Sequence, residues 1–330
     1  MRAAIVHEFG PIASHTMGEL PEPTPRTGEV LVTIKATAVN FVDSLVVTGK
    51  YQFLPQRPFA PGKMPVGVIT ALGTGVTDVK VGDRVLTLAE QGGYAQKVAV
   101  DVKQCFKLPE AMSFGEAASM ALVYDTSWFA LRERARIQPG DSVLVLGSTG
   151  GVGLAAVQLA KAMGAKVLAG VSNAAKAPPV LAAGADGIID LSQPNLRDSL
   201  REQIFAKNNG KGVDIVIDPV GGDAFDAALR ALAWRGRLVV IGFASGRIPE
   251  VKANYLLVKN IEVTGLQVSD YRKRMPEMMA ECMREIFSLY EKAKLKPAPF
   301  QSRPLDAFAT SLQEIVDRRA SGRIVLEPNP

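Results

Sequence analysis

Gly140-Asp-Ser-Val-Leu-Val-Leu-Gly147-Ser-Thr-Gly150-Gly151-Val-Gly153-Leu-Ala-Ala-Val-Gln-Leu-Ala-Lys-Ala-Met-Gly164 is the stretch on which the fold turns. Ser142 to Leu146 is a short run rich in Val and Leu, the pattern of a strand buried on both faces in a parallel sheet. Gly147, Gly150 and Gly153 follow at intervals of three, with Gly151 added. Leu154 to Met163 has helical spacing, with Val152, Ala156, Leu159 and Met163 on one face. A strand, a glycine turn and a helix in direct succession aim backbone N–H groups and the positive helix end at one point, where a pyrophosphate can sit. The expected contacts are Gly147, Thr149, Gly150, Gly151, Val152 and Gly153. The plainer alternative is a glycine-rich turn with no ligand. Further βα units downstream argue against it.

Those units are expected at Lys166 to Val171, Gly187 to Asp190, Val213 to Asp218, Arg237 to Ile241 and Ile261 to Thr264. With the first strand they complete a doubly wound, six-stranded Rossmann sheet. Upstream the pattern differs. Val30, Val32, Ile34 and Ala36 alternate with Leu31, Thr33, Lys35 and Thr37, predicting a strand with one buried face. A short helix is expected from Phe41, strands at Val66 to Leu72 and through Val100, and a turn at Val81-Gly-Asp-Arg-Val85. Short strands separated by Gly and Pro predict an antiparallel β domain or partial barrel. Phe114 to Leu122 and Thr126 to Arg134 have helical spacing, as does Met275 to Ala293. Phe300 to Pro304, a helix marked by Phe308, Leu312 and Ile315, and a closing strand from Arg323 are expected to return to the N-terminal β domain. The fold class is thus α/β, with domains at 1–122 plus 297–330 and at 123–296.

The 330 residues suffice for about two domains. The apolar runs are strand-sized, which excludes a membrane helix, and the start, Met-Arg-Ala-Ala-Ile-Val-His-Glu, lacks a signal-peptide core. The net charge of +5 is scattered, which argues against nucleic acid and suits a small anionic ligand. Two cysteines, Cys105 and Cys282, with no CxxC pair imply a reducing, cytoplasmic setting. Two histidines, His7 and His15, leave little for a metal site or a Ser-His-Asp triad.

The second strand of the Rossmann unit ends at Val171-Ser-Asn173. An NAD-specific site places Asp or Glu there for the ribose 2′-hydroxyl. Ser172, Asn173 and Lys176 instead offer donors to a 2′-phosphate, which favours NADPH. The alternative is that Ser172 or Asn173 caps the next helix and Lys176 is a surface charge. Asp218-Pro-Val-Gly-Gly222 lies at the carboxyl edge of the sheet, with Val220 and Gly221 against the cofactor ribose and Asp218 as a helix cap. Phe243 and Leu266 are rim positions suited to the nicotinamide.

These motifs resemble the medium-chain dehydrogenase/reductase superfamily, and within it the zinc-free quinone oxidoreductase branch that includes zeta-crystallin. The resemblance rests on the glycine stretch, Val81-Gly-Asp-Arg-Val85 and Gly-Arg-Ile-Val-Leu326, and covers nearly the whole chain. Thr149 stands where a smaller residue is usual. The resemblance implies a GroES-like β-barrel domain made from both chain ends. It implies that Asn40 lies near the nicotinamide with Asp43 in support, and that Tyr51 faces the substrate as a donor to the developing oxyanion. It carries a cofactor contact onto Thr126 and, more weakly, a phosphate or ribose contact onto Arg323. The Tyr usual after the third strand is replaced by Leu191. Gly62-Lys63-Met64 stands where zinc-dependent relatives carry Gly-His-Glu, and Asn40 or a neighbour at the position of their cysteine, so no zinc is expected. The implied activity is hydride transfer from NADPH to a quinone or an α,β-unsaturated carbonyl. The rivals are a 2-enoyl or acryloyl thioester reductase and a non-catalytic, crystallin-like or sensing NADPH-binding protein. A homodimer paired through Ile261 to Thr264 is also implied.

Overall fold

The chain is described by a computed structural model covering residues 1–329. It divides into two units, Met1–Leu122 with the chain from Pro297 on, and Val123–Lys296. The first unit contains β1 (Arg2–Ile5), β2 (Thr16–Glu19), β3 (Glu29–Ala38), α1 (Phe41–Val47), β4 (Val66–Leu72), β5 (Arg84–Thr87), β6 (Lys97–Asp101), β7 (Cys105–Lys107) and α2 (Phe114–Met120). The second begins with α3 (Val123–Phe129), β8 (Ser142–Val145), α4 (Gly151–Ala162), β9 (Lys166–Val171), α5 (Ala177–Ala182), β10 (Gly187–Asp190) and α6 (Leu196–Lys207). It continues through β11 (Val213–Asp218), α7 (Gly222–Ala231), β12 (Leu232–Val240), α8 (Ala253–Lys259), β13 (Glu262–Gly265), α9 (Val268–Arg274) and α10 (Pro276–Glu291). The chain then re-enters the first unit with β14 (Phe300–Pro304), α11 (Phe308–Val316) and β15 (Arg323–Glu327).

In the first unit β3 is the hub. It pairs antiparallel with β4 along Val30 to Ala36, with β6 along Glu29 to Thr33, and with β15 at Thr37 and Ala38. The sheet runs β14-β15-β3-β4-β5-β7. Leu31 and Thr37 are buried along with Val30, Val32, Ile34 and Ala36, whereas Thr33 and Lys35 are half-buried, so the second face of β3 is only partly wet. Helix α2 packs against this strand, a burial that the alternation of its residues does not show. Apolar clusters fill this unit, one around Val46, Tyr94, Phe308 and Leu326, another around Val32, Ile69 and Val85, and a smaller one around Ala3, Ile5, Ala60 and Ala95.

The second unit is a parallel sheet in the order β10-β9-β8-β11-β12-β13. The direction of winding reverses between β8 and β11, which makes their carboxyl ends the place where such sheets bind ligands. Its core joins Leu144, Leu168, Val216, Phe225 and Leu238. Helix α4 starts at Gly151, earlier than its apolar spacing alone suggests. Strand β12 starts at Leu232 rather than at Arg237, with a register shift opposite Val213 and Ile215. The helix expected to end at Arg134 closes instead in a π-turn over Ala130–Arg134. Among the described residues no helix is long and apolar enough to cross a membrane.

Candidate functional site

The glycine turn of the second unit is tied down on three sides. Leu146 N–H donates to Ile217 O (3.0 Å), and Ser148 donates to Gly170 O from both its N–H (3.2 Å) and its hydroxyl (2.9 Å). Gly150 N–H closes the turn on Gly147 O at 3.0 Å. The first hydrogen bond of α4 runs from Leu154 N–H to Gly150 O (2.8 Å), so the N–H groups of Gly151, Val152 and Gly153 precede any intrahelical acceptor and point out of the helix start. A Cβ on Gly153 would fall 2.2 Å from Gly147 O, so only glycine lets the helix approach the turn this closely. Thr149 and Gly150 are exposed above these groups.

Neighbouring loops complete the rim of this unit. A Cβ on Gly147 would meet Val220 Cγ2 at 2.8 Å, and one on Gly221 would meet Phe243 Cδ1 at 3.1 Å, so Val220 and Phe243 lie beside the glycine turn and the β11 turn. Asp218 Oδ1 accepts from the N–H of Val220 (2.7 Å) and of Gly221 (2.9 Å). Asp218 thus shapes the loop ahead of α7, whose N-cap is Gly221. Burial raises the pKa of this carboxyl above the usual aspartate range, and the two N–H donors pull it back. Leu266 is held at the end of β13 by its N–H to Val240 O (3.0 Å). Thr126 is buried in α3, its N–H donating to Asp125 Oδ1 (2.6 Å). Ser127, which the sequence reading passes over, links α3 to α4 through its hydroxyl on Val152 O (2.9 Å).

Ser172, Asn173 and Lys176 are exposed together at the end of β9. Asn173 Oδ1 accepts from Ala175 N–H (2.9 Å) and starts the 3-10 turn Ala174–Lys176, as the capping alternative requires. Its carboxamide NH2, the Ser172 hydroxyl and the Lys176 ammonium are all donors. Leu191 packs against the core of the sheet.

The first unit gathers its own polar cluster around Asp43, which is 1% exposed. Asp43 Oδ2 accepts from Asn40 N–H (2.9 Å) and from the Tyr94 hydroxyl (2.8 Å). Tyr94 is buried beside Gly62, where φ is +91° and a Cβ would stand 2.3 Å from the Tyr94 ring, so glycine at 62 makes room for the ring. Asn40 Oδ1 accepts from Arg323 Nη2 (2.7 Å), and Asn40 Nδ2 donates to Ala38 O (3.1 Å). Arg323 also donates from Nε to Ser119 O (3.2 Å). Its guanidinium therefore orients Asn40 within the first unit. Tyr51 follows α1, its N–H on Leu45 O (3.1 Å), and its ring meets Phe53 edge-on. The Lys63 ammonium lies 5.5 Å from the Tyr51 ring centroid. The structure thus brings Asn40, Asp43, Tyr51 and Lys63 into one neighbourhood. Tyr94 and Glu90, which pairs with Lys63, are the members that sequence reasoning missed, because nothing local marks them; Lys63 itself is legible only as a departure from the Gly-His-Glu pattern.

Burial lifts the Asp43 carboxyl to about 6, against the opposing pull of Lys63, the Tyr94 hydroxyl, Asn40 N–H and Arg323. A carboxyl whose folded pKa exceeds its unfolded value binds more protons in the native state. Its contribution therefore falls as pH rises from about 4 to about 6, by roughly 3 kcal/mol at about 1.4 kcal/mol per pKa unit. Asp43→Asn is expected to remove this slope, so the stability difference between variant and wild type should move in favour of the variant across that window. Urea unfolding at a series of pH values checks it, and two parallel stability curves would contradict it.

Comparison with known proteins agrees with this architecture. Residues 26–110 match the family model "Alcohol dehydrogenase GroES-like domain", and residues 151–284 match "Zinc-binding dehydrogenase". A Nematostella vectensis protein named quinone oxidoreductase-like protein 2 homolog is 36% identical over 303 residues, covering 91% of this chain and 82% of that protein. This chain belongs to the quinone oxidoreductase family of the medium-chain dehydrogenase/reductase superfamily. Among solved members of that family, Escherichia coli quinone oxidoreductase complexed with NADPH superposes with a TM-score of 0.90 at 30% identity, over 99% of this chain and 100% of the other. A mycobacterial protein complexed with NADPH gives a TM-score of 0.91 at 31% identity with the same coverage.

Two groups implied by this family can be tested against the residues present. For a nicotinamide dinucleotide the fit is good: a glycine turn held on both sides, three N–H groups at the start of α4, and a rim of Val220 and Phe243. For a catalytic zinc the fit is poor. Among the described residues no three of His, Cys, Asp or Glu stand together. The carboxylate of the first unit's cluster is already faced by the cations Lys63 and Arg323, which would repel a metal ion.

Proposed function

We propose that this chain is an NADPH-dependent reductase that transfers hydride to a quinone or an α,β-unsaturated carbonyl without zinc. The observation that carries the reading is the open first turn of α4 beside a β9 end with no carboxylate at Ser172 and Asn173. The open N–H groups suit a pyrophosphate, and the missing carboxylate with Lys176 suits a 2′-phosphate. The relatives solved with NADPH support the choice of cofactor. When bound, the reduced nicotinamide supplies the hydride. The second unit's residues hold and orient it. In the first unit Arg323 fixes the Asn40 carboxamide, and Tyr51 offers a hydroxyl to the acceptor oxygen. Quinones and enones are already electrophilic, so orientation and oxyanion donors suffice.

The test is NADPH and NADH oxidation against a 1,4-quinone, an enal and a crotonyl thioester, with and without a chelator. We expect turnover of the quinone or the enal, unaffected by chelation, with NADPH preferred. Preference for the thioester would move the substrate class to enoyl reduction. Quenching of tryptophan emission by NADPH with no turnover on any acceptor would leave only a binding function. Lys176→Ala should weaken NADPH about 5- to 10-fold, as loss of roughly 1 kcal/mol implies, and leave NADH unchanged. Equal loss for both cofactors would place Lys176 away from the 2′-phosphate.

We also propose a homodimer paired through β13, which forms an edge of its sheet and so offers unpaired backbone groups. The mass of the protein in solution at micromolar concentration tests this, and a monomer would refute it.

A further inference from the structure

A lysine that is 3% exposed in the acceptor-handling unit calls for an explanation, because a buried ammonium is retained only where something holds it. Lys63 Nζ donates to Glu90 Oε2 (2.5 Å) and lies 3.3 Å from Glu90 O. It also lies against the face of Tyr51, 5.5 Å from the ring centroid. It is the strongest of the charges acting on Asp43. Glu90 is 29% exposed at its side chain, so the pair reaches the surface of its unit through Glu90 while the ammonium stays dry. Around one fixed cation the structure thus collects the two residues that the family resemblance ties to the reaction, Tyr51 and, through Asp43, Asn40.

We propose that Lys63 is a positioning residue: held by Glu90 and seated on the Tyr51 ring, its ammonium fixes the Tyr51 hydroxyl as donor to the oxyanion that forms on the acceptor as hydride arrives. This rests on the reductase reading given above. The acceptor gains the hydride at its β-carbon (enone) or at the quinone system, a C–H bond of the dihydronicotinamide breaks, and the cofactor leaves as the oxidised pyridinium. Both electrons end on the acceptor as an enolate or a hydroquinone anion, which then takes a proton from water. The negative charge develops on oxygen, and the Tyr51 hydroxyl that Lys63 holds in place is its donor. Glu90 holds the lysine chain in position, and the same ammonium acts on Asp43.

The test compares wild type, Lys63→Met and Lys63→Arg. We expect kcat for a 1,4-quinone to fall about 100-fold in Lys63→Met, with the NADPH dissociation constant unchanged and Lys63→Arg recovering most of the loss. Should Lys63→Met fail to fold, Lys63→Gln keeps an N–H for Glu90, removes the charge and carries the same expectation. An independent readout is binding of 4-nitrophenol to the protein saturated with NADP+. The wild type should lower the apparent pKa of the bound phenol, seen as phenolate absorption at lower pH, and the uncharged variants should not. A folded Lys63→Met or Lys63→Gln with wild-type kcat and an unshifted nitrophenol titration overturns the assignment while leaving the reductase reading intact. An inactive wild type on every acceptor removes both.

Discussion

Gly153→Ala is expected to raise the NADPH dissociation constant by at least about 100-fold and to cost about 1–3 kcal/mol of stability. The added methyl would stand 2.2 Å from Gly147 O, 2.7 Å from Ser148 Cα and 2.8 Å from Gly147 C. All three are backbone atoms, and the Ser148 bonds to Gly170 hold them in place. Relief therefore means moving the turn or the helix by about 1 Å, a displacement large enough to spoil aligned hydrogen bonds to a phosphate. Gly150→Ala is the informative partner. Its Cβ meets nothing nearer than Gly147 O at 3.4 Å, an ordinary contact, so the fold should be unaffected. Gly150 is nevertheless exposed above the open N–H groups, so a methyl there should weaken NADPH with little change in melting temperature. Fluorescence titration and thermal melts of both variants give the answer. Wild-type binding in both would remove the glycine turn from the cofactor site.

Asp125→Ala is expected to lose about 3–5 kcal/mol of stability. Asp125 Oδ2 and Arg272 Nη2 are 2.7 Å apart, with side chains 0% and 1% exposed. Taking away the carboxylate leaves a guanidinium in a dry core without the anion that faces it. Asp125 Oδ1 also accepts from Thr126 N–H, so the variant loosens α3 beside the start of α4. Denaturant unfolding followed by Trp128 emission reports on the right unit, since Trp128 lies in α3 and its indole N–H donates to Glu285 (2.8 Å). Replacing both partners, Asp125→Leu with Arg272→Met, should recover most of the loss, because no uncompensated charge remains. A double variant no better than Asp125→Ala would mean that packing, not charge, sets the cost.

The parts of the molecule that sequence reading reached are those whose cause is local. Gly147, Gly150 and Gly153 sit within one turn of each other, and the strand and helix they join are coded by their own apolar spacing. The parallel strands of the second unit are legible for the same reason. Lys63 is different. Read alone it is a departure from a metal-binding motif. Its meaning comes from Glu90, Tyr51 and Asp43, which fold to it from separate elements. Arg323 and Asn40 are likewise 283 residues apart, and no spacing rule joins them. The burial of Thr37 depends on the chain at Gly93, whose carbonyl accepts from its hydroxyl at 2.8 Å, which alternation along one strand does not record.

The placement of β15 beside β3 sets a timetable for synthesis. Thr37 and Ala38 leave the ribosome roughly 290 residues ahead of their partners Leu326 and Val325, a wait of about 15–60 s at ordinary elongation rates. Throughout that interval the second unit can assemble from contacts already translated, while β3 shows an unfilled hydrogen-bonding edge to other nascent chains. Chaperone demand during translation should thus fall on the first-made segment, and ease only as the last strand emerges.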